Sequence, residues 1–162
     1  MIVADTSALI SLAVAGVLEP VTERFDVHTT ETVLDELSDT AAYNDVHGRG
    51  ARSVLDRVDR LTVHEIDAPL ESARIDAGEG SCAVLASQQG ANFLLTDDLR
   101  AIPELEASVE TRVAISPIVL RALVIRDDLT REEALDRLET LAAERDWLGA
   151  PIYRRARALF EE

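Results

Sequence analysis

Ile2-Val3-Ala4-Asp5-Thr6-Ser7-Ala8-Leu9-Ile10-Ser11-Leu12 is the stretch that decides the fold. Its apolar run, Ile2 to Ala4, stops at Asp5; two hydroxyl residues follow, and then a helical pattern of Leu9, Ile10, Leu12 and Ala13 begins. The pattern predicts a buried parallel strand, a tight turn and a helix. Ligands of open α/β sheets bind beyond the carboxyl ends of the strands, which is where Asp5 falls. A carboxylate in that place is either a helix N-cap or a site residue, and Asp5 taken alone suits both.

The same design returns at Ala91-Asn92-Phe93-Leu94-Leu95-Thr96-Asp97-Asp98, a continuous apolar run terminating in acid. Two strands of one parallel sheet that both end in aspartate place those carboxylates on one edge. Neighbouring acids repel, and burying several together is costly unless a cation neutralises them. A hard divalent ion such as Mg²⁺ takes oxygen ligands and leaves positions for water and phosphate.

Two further acids lie between these strands. Thr29 or Thr30 caps an expected helix through Glu31-Thr32-Val33-Leu34-Asp35-Glu36-Leu37, with Val33, Leu34 and Leu37 as its apolar stripe. Glu36 sits at the edge of that stripe, either as a solvated helix glutamate or directed along the protein. Gly78-Glu79-Gly80 heads a helix of small residues, with Cys82, Ala83, Val84 and Ala86, that Gly90 ends. Glu79 suits the positive end of the helix dipole, yet its flanking glycines leave the carboxylate approachable.

Composition narrows the classes. At 162 residues with 47% hydrophobic and 4% aromatic content, the chain is expected to form one domain with an Ala, Val, Leu and Ile core. No apolar run reaches the length of a membrane span, and no basic leader precedes Ile2, so a cytoplasmic protein without membrane association is expected. The single Cys82 excludes an internal disulfide. Net charge is −15, and all 16 basic residues are arginine. Such acid excess on a chain of normal hydrophobicity reads as halophilic, since concentrated salt screens the self-repulsion. With no lysine, Walker A, Schiff-base and pyridoxal phosphate chemistries are excluded. Rival folds with an aspartate at a strand end, the phosphoryl receivers and dehalogenase-like phosphatases, also lack their usual lysine.

The remaining elements are expected as follows. Gly16 closes the first helix, Phe25 to His28 forms a second strand, and residues 39 to 50 form a loop. A helix with Val54, Leu55 and Val58 inward leads to an edge strand at Leu61 to Ile66. His28, His47 and His64 lack ligand spacing and read as surface histidines. Leu99 to Val109 is a short helix, Arg112 to Ile115 a last strand, and Pro117 to Ile125 a helix with Pro at N1. Thr130 and Glu133 form a capping box for a helix lined by Leu135, Leu138 and Leu141. A turn at Trp147 to Pro151 precedes a final helix bearing Arg154, Arg155 and Arg157, either a nucleic-acid contact or a solvated face.

Asp5-Thr6-Ser7 after a strand, Val33-Leu34-Asp35-Glu36-Leu37 on a helix, Gly78-Glu79 opening a small-residue helix and Leu95-Thr96-Asp97-Asp98 at a later strand end together resemble a PIN domain. The Gly-Glu and Asp-Asp pairs and the C-terminal helices are similar to the VapC-like prokaryotic branch. The resemblance spans nearly the whole chain. It implies a three-layer α/β/α fold around a parallel sheet, as one PIN-like domain over 1–162, with 128–162 a helical extension packed on it.

The resemblance also implies a metal-dependent endoribonuclease acting on single-stranded RNA. Asp5, Glu36, Glu79 and Asp98 match the acidic quartet that holds Mg²⁺ or Mn²⁺, with Asp97 as an additional metal candidate. Ser7 and Thr96 take supporting roles, and Arg100 fills the place of the arginine that follows the Asp pair and would bind substrate. Two departures stand out: Glu79 replaces the Asp of most PIN domains, and Ala101-Ile102-Pro103-Glu104 is unusual after that arginine. By the same likeness the expected partners are RNA, a small antitoxin protein and a second copy in a homodimer. Three functions follow: the toxin of a type II toxin–antitoxin pair, a housekeeping RNA-processing nuclease, or a non-catalytic scaffold.

Overall fold

A computed structural model describes residues 1–161. Five short strands, β1 (Ile2–Ala4), β2 (Val27–Thr30), β3 (Thr62–His64), β4 (Phe93–Leu95) and β5 (Arg112–Ala114), form one sheet in the order β3-β2-β1-β4-β5. Every pairing is parallel. From β1 the chain first builds outward to β2 and β3, then crosses back to lay β4 on the other side of β1. The crevice at the carboxyl ends of β1 and β4 is therefore the topological switch point, where open α/β sheets bind ligands. Ala4 is in register with Leu95, so Asp5 and Thr96 leave adjacent strands side by side.

The helices are α1 (Thr6–Val14), α2 (Leu18–Arg24), α3 (Glu31–Thr40), α4 (Val46–Leu55), α5 (Ala77–Gln89), α6 (Ile102–Ser108), α7 (Ile118–Ile125), α8 (Arg131–Glu144) and α9 (Pro151–Ala158). They cover the sheet in a three-layer α/β/α arrangement. The small-residue helix α5 packs on β1, β2 and β4, as its alanines and Cys82 allow, and Cys82 is fully buried. Ile118 and Val119 of α7 and Phe93 and Leu95 of β4 line one largely apolar cavity. Helix α8 lies against α1 and α7 through buried Ala134, Leu138, Leu141 and Ala142, with Leu135 at the margin of that face. Thr130 and Glu133 form the expected capping box, and Gly16 and Gly90 adopt the left-handed backbone that stops α1 and α5. Among the described residues no single helix is long and apolar enough to cross a membrane.

Several local expectations are corrected. Residues 46–50 are helical, not loop: the Asp45 side chain accepts from Gly48 N at 2.8 Å and starts α4. A Cβ on Gly48 would stand 1.9 Å from the Tyr43 carbonyl oxygen, so that glycine marks close packing rather than a turn. Helix α2 was not foreseen; it extends to Arg24, so Phe25 closes a helix and the second strand begins at Val27. Val58 lies in a short 3-10 turn and is exposed. Helix α6 starts at Ile102, after a turn at Leu99 to Ala101.

His28 is buried rather than on the surface. Its Nδ1 lies 2.8 Å from Nε2 of His64, and its Nε2 lies 2.8 Å from Oδ1 of Asp26. The parallel β2–β3 pairing brings the two rings into a stack. Strand β3 lies at one edge of the sheet, as its alternation predicts.

Candidate active site

Asp5 is both things its position allows. It is the N-cap of α1, with Oδ1 accepting from Ala8 N and from the Ser7 hydroxyl, each at 2.9 Å. It is also 2% exposed at the switch point. Burial pushes its carboxyl up to about 7, against hydrogen bonds from Thr96, Ala8 and Ser7, while the charge of Asp97 adds to the rise. Thr96 is fully buried; its hydroxyl also accepts from Asp98 N at 3.2 Å, so one side chain links the ends of β1 and β4.

Glu79 is the third residue of α5. It forms a reciprocal capping box with Asp76, whose side chain accepts from Glu79 N at 2.8 Å while Glu79 Oε2 accepts from Asp76 N at 3.2 Å. It is 5% exposed, and burial, followed by the charges of Asp76, Asp5 and Asp98, raises its carboxyl to about 8. Glu36 reaches in from α3, where Oε1 accepts from the Thr6 hydroxyl. Its carboxyl is raised as well, by burial first and then by the charge of Asp76.

Gly78 explains one of the two glycines beside Glu79. A Cβ there would stand 2.1 Å from Glu36 Oε1, so the absence of a side chain leaves room for the carboxylate of another helix. The obstructed atom is the tip of a flexible side chain. Gly78→Ala is therefore expected to shift the melting temperature by only a few degrees while weakening Mn²⁺ binding by about tenfold, because Glu36 is displaced. Calorimetric titration beside thermal melting checks this pairing. A large stability loss with intact Mn²⁺ binding would show that Gly78 serves packing instead.

Asp5, Glu36 and Glu79 thus line one recess, together with Asp76, His47 and Arg145. Asp98 lines an adjoining cleft of roughly 630 Å³ with Arg74, Arg100 and Asp76, and Asp76 borders both spaces. Asp98 Oδ1 accepts from Arg100 N at 3.0 Å, and its charge is felt by Glu79. Asp97 is turned elsewhere. Its Oδ1 accepts from Ser116 N at 2.7 Å, and its Oδ2 from the hydroxyls of Ser11 at 2.5 Å and Ser116 at 2.8 Å. With both oxygens committed, Asp97 braces β4 against α1 and the end of β5. Ser7 completes the brace, its hydroxyl accepting from Asp97 N at 3.0 Å.

Arg145, Thr6, Asp76 and His47 belong to the recess without having been singled out in the sequence. Asp76 had a legible signal, since Asp76-Ala77-Gly78-Glu79 is a capping-box spacing. His47 had none once its segment was read as loop. Arg145 follows α8, and its Nη1 donates to Ser7 O at 2.8 Å and to Ser11 Oγ at 2.6 Å from 138 residues away. In α9, Arg157 pairs with Glu139 at 3.1 Å and Arg154 lies over the Gly149 carbonyl, which makes that arginine cluster a solvated helix face.

The donor set suits a hard divalent cation. The four acids offer only oxygen donors, three of them are raised first by burial and then by the charge of neighbouring acids, and a cation there would relieve both penalties. Among the described residues no three acidic, histidine or cysteine side chains already converge as a coordination cage, so the fit is one of donor type and charge.

The fold and the site define a class: an open parallel α/β sheet with carboxylates at its topological switch point. Within that class the chain belongs to the PIN-domain family: a family model described as a PIN domain matches residues 1–162. PIN domains are in general nucleases and typically use divalent metals. No curated protein matches the chain.

Proposed function

We propose that the protein is an endoribonuclease that cleaves single-stranded RNA with Mg²⁺ or Mn²⁺ held by Asp5, Glu36, Glu79 and Asp98. The observation that carries this reading is the recess at the switch point, lined by buried Asp5 and Glu79 and half-buried Glu36, all three with carboxyl pKa values raised by desolvation. A divalent ion, when bound, supplies a water of lowered pKa and stabilises charge developing on the phosphate. The chain's own residues set the stage for this. Ser7 and Thr96 hold Asp5 in one orientation, Thr6 holds Glu36, and Asp76 holds Glu79.

Substrate would enter along the cleft beside Asp98, where Arg74 and Arg100 meet the phosphates. Those local cations matter because a net charge of −15 opposes RNA at long range. In the concentrated salt that the acidic composition suits, this repulsion is screened within a few ångströms. The protein acts as the toxin of a toxin–antitoxin pair, and a small antitoxin covers the recess.

Incubating the protein with mixed-sequence single-stranded RNA in molar KCl tests the reading. Cutting is expected with Mg²⁺ or Mn²⁺ and none with EDTA. A folded protein that neither cuts RNA nor binds Mn²⁺ would sink it in favour of a scaffold. Growth arrest on expression, relieved by co-expressing an adjacent short gene, separates the toxin from a housekeeping nuclease.

A further inference from the structure

Among the described residues Arg145 is the arginine that lines the acidic recess, and the site as described leaves it without a task. Its side chain extends from the C-terminal end of α8 to the start of α1. Both of its hydrogen bonds, from Nη1 to Ser7 O and to Ser11 Oγ, go to uncharged acceptors. Nε is buried with no partner. A guanidinium keeps its charge even when desolvated, and a buried arginine normally spends its donors on a carboxylate. Here the charges of Asp97 and then Asp5 act on it, and Asp97 is linked to it through Ser11, whose hydroxyl donates to Asp97 and accepts from Arg145. Asp97 thus steadies the guanidinium without consuming it, and the group borders the same space as Asp5, Glu36 and Glu79.

A purely structural clamp would call for fully paired donors, and α8 is already anchored by buried Leu138 and Leu141. A planar cation lining a carboxylate recess, with its Nη1 bonded to uncharged acceptors rather than to a carboxylate, matches a phosphodiester oxyanion. We propose that Arg145 is a substrate-binding residue, presenting its guanidinium to the phosphate of the RNA strand beside the carboxylates that take the divalent ion. This rests on the nuclease reading and adds to it a residue from the C-terminal helices. It also gives those helices a part in the site, since α8 delivers the phosphate-binding group.

The test uses the full chain with Arg145→Met and Arg145→Lys. Binding of a short single-stranded RNA is read by fluorescence anisotropy in Ca²⁺, Mn²⁺ binding by calorimetry, and cleavage in Mg²⁺. Arg145→Met is expected to lose about tenfold in RNA affinity and about 10²-fold in kcat. It should bind Mn²⁺ more tightly, because a like charge has been removed from the recess. Arg145→Lys, which keeps the charge, should regain most of the RNA affinity. The proposal is overturned if Arg145→Met binds Mn²⁺ no more tightly than wild type, or if its loss of RNA affinity follows its loss of melting temperature and lysine gives no rescue. Wild-type protein that fails to bind RNA at all would instead bring down the nuclease reading, and this proposal with it. RNA binding equal in wild type and Arg145→Met would remove the proposal alone.

Discussion

Asp5→Asn is expected to reduce metal-dependent RNA cleavage by about 10³-fold or more while leaving the fold intact. Asparagine caps a helix as well as aspartate does, so the bond from Ala8 N survives, as does the bond from the Ser7 hydroxyl. What is lost is the negative charge at the centre of the recess. The same substitution should stabilise the metal-free protein at pH 8. Burial pushes the folded carboxyl up to about 7 from the ordinary aspartate value of 3.8, so folding carries an extra proton between those two values. Asp5 therefore contributes stability that is complete below about pH 4 and is lost as pH rises through about 7. Asparagine has no proton to lose. Its advantage at pH 8 is on the order of 1–4 kcal/mol, measured by urea denaturation of both proteins with EDTA present. Equal cleavage by the variant would remove Asp5 from the centre, and a lower stability at pH 8 would contradict its burial as a strained anion.

A second large effect is the reversal of the pH profile by metal. Glu79 follows the same sign as Asp5, with a carboxyl raised to about 8, and Glu36 is raised too. Without metal, the melting temperature should therefore decline from pH 5 to pH 8.5 as these acids ionise against one another. Millimolar Mg²⁺ or Mn²⁺ should restore most of that loss at pH 8 and have little effect at pH 5, where protons hold the same oxygens. Binding at pH 7 should consequently release protons. Calorimetry of Mn²⁺ binding in two buffers of different ionisation enthalpy would read about one to two per ion. A flat metal-free profile, or metal binding without proton release, would mean that the recess is wetter than its burial indicates.

Molar salt should not erase this behaviour. Screening acts through mobile ions and weakens the mutual repulsion of exposed acids. The first cause of the shifts at Asp5, Glu36 and Glu79 is burial, which bulk salt does not reach. The excess of acid over the rest of the chain, by contrast, belongs to solvated positions that salt screens well.

Most of the architecture was legible because its signals are local. Apolar runs of strand length at Ile2–Ala4 and Phe93–Leu95, each closed by acid, specified buried parallel strands and put Asp5, Asp97 and Asp98 at one edge. The capping box of Thr130 was readable from residue type and spacing, and the caps of α1 and α3 were narrowed to Asp5 and to Thr29 or Thr30, of which the structure uses Thr30. Misreadings clustered where a residue's role depends on a neighbour distant in sequence. Gly48 is the exception, a local misreading: its composition signalled a loop, yet the Asp45 cap starts a helix there and the Tyr43 backbone lies against it. His28 looked isolated because its partner, His64, is set by the pairing of β2 with β3.

The order of apolar runs, caps and acids along the chain determined by itself a parallel α/β sheet with carboxylates gathered at its carboxyl edge. It did so because hydrophobic period and capping act within a few residues. Only the tertiary structure decided which acids face the recess. Asp97 and Asp98 are neighbours in sequence with the same chemistry, but Ser11 and Ser116 draw Asp97 away while Asp98 opens onto the cleft. Gly78 makes room for Glu36, and α8 carries Arg145 to the end of β1. Those outcomes rest on side-chain direction and on packing between distant elements, and neither is written in any short window of sequence.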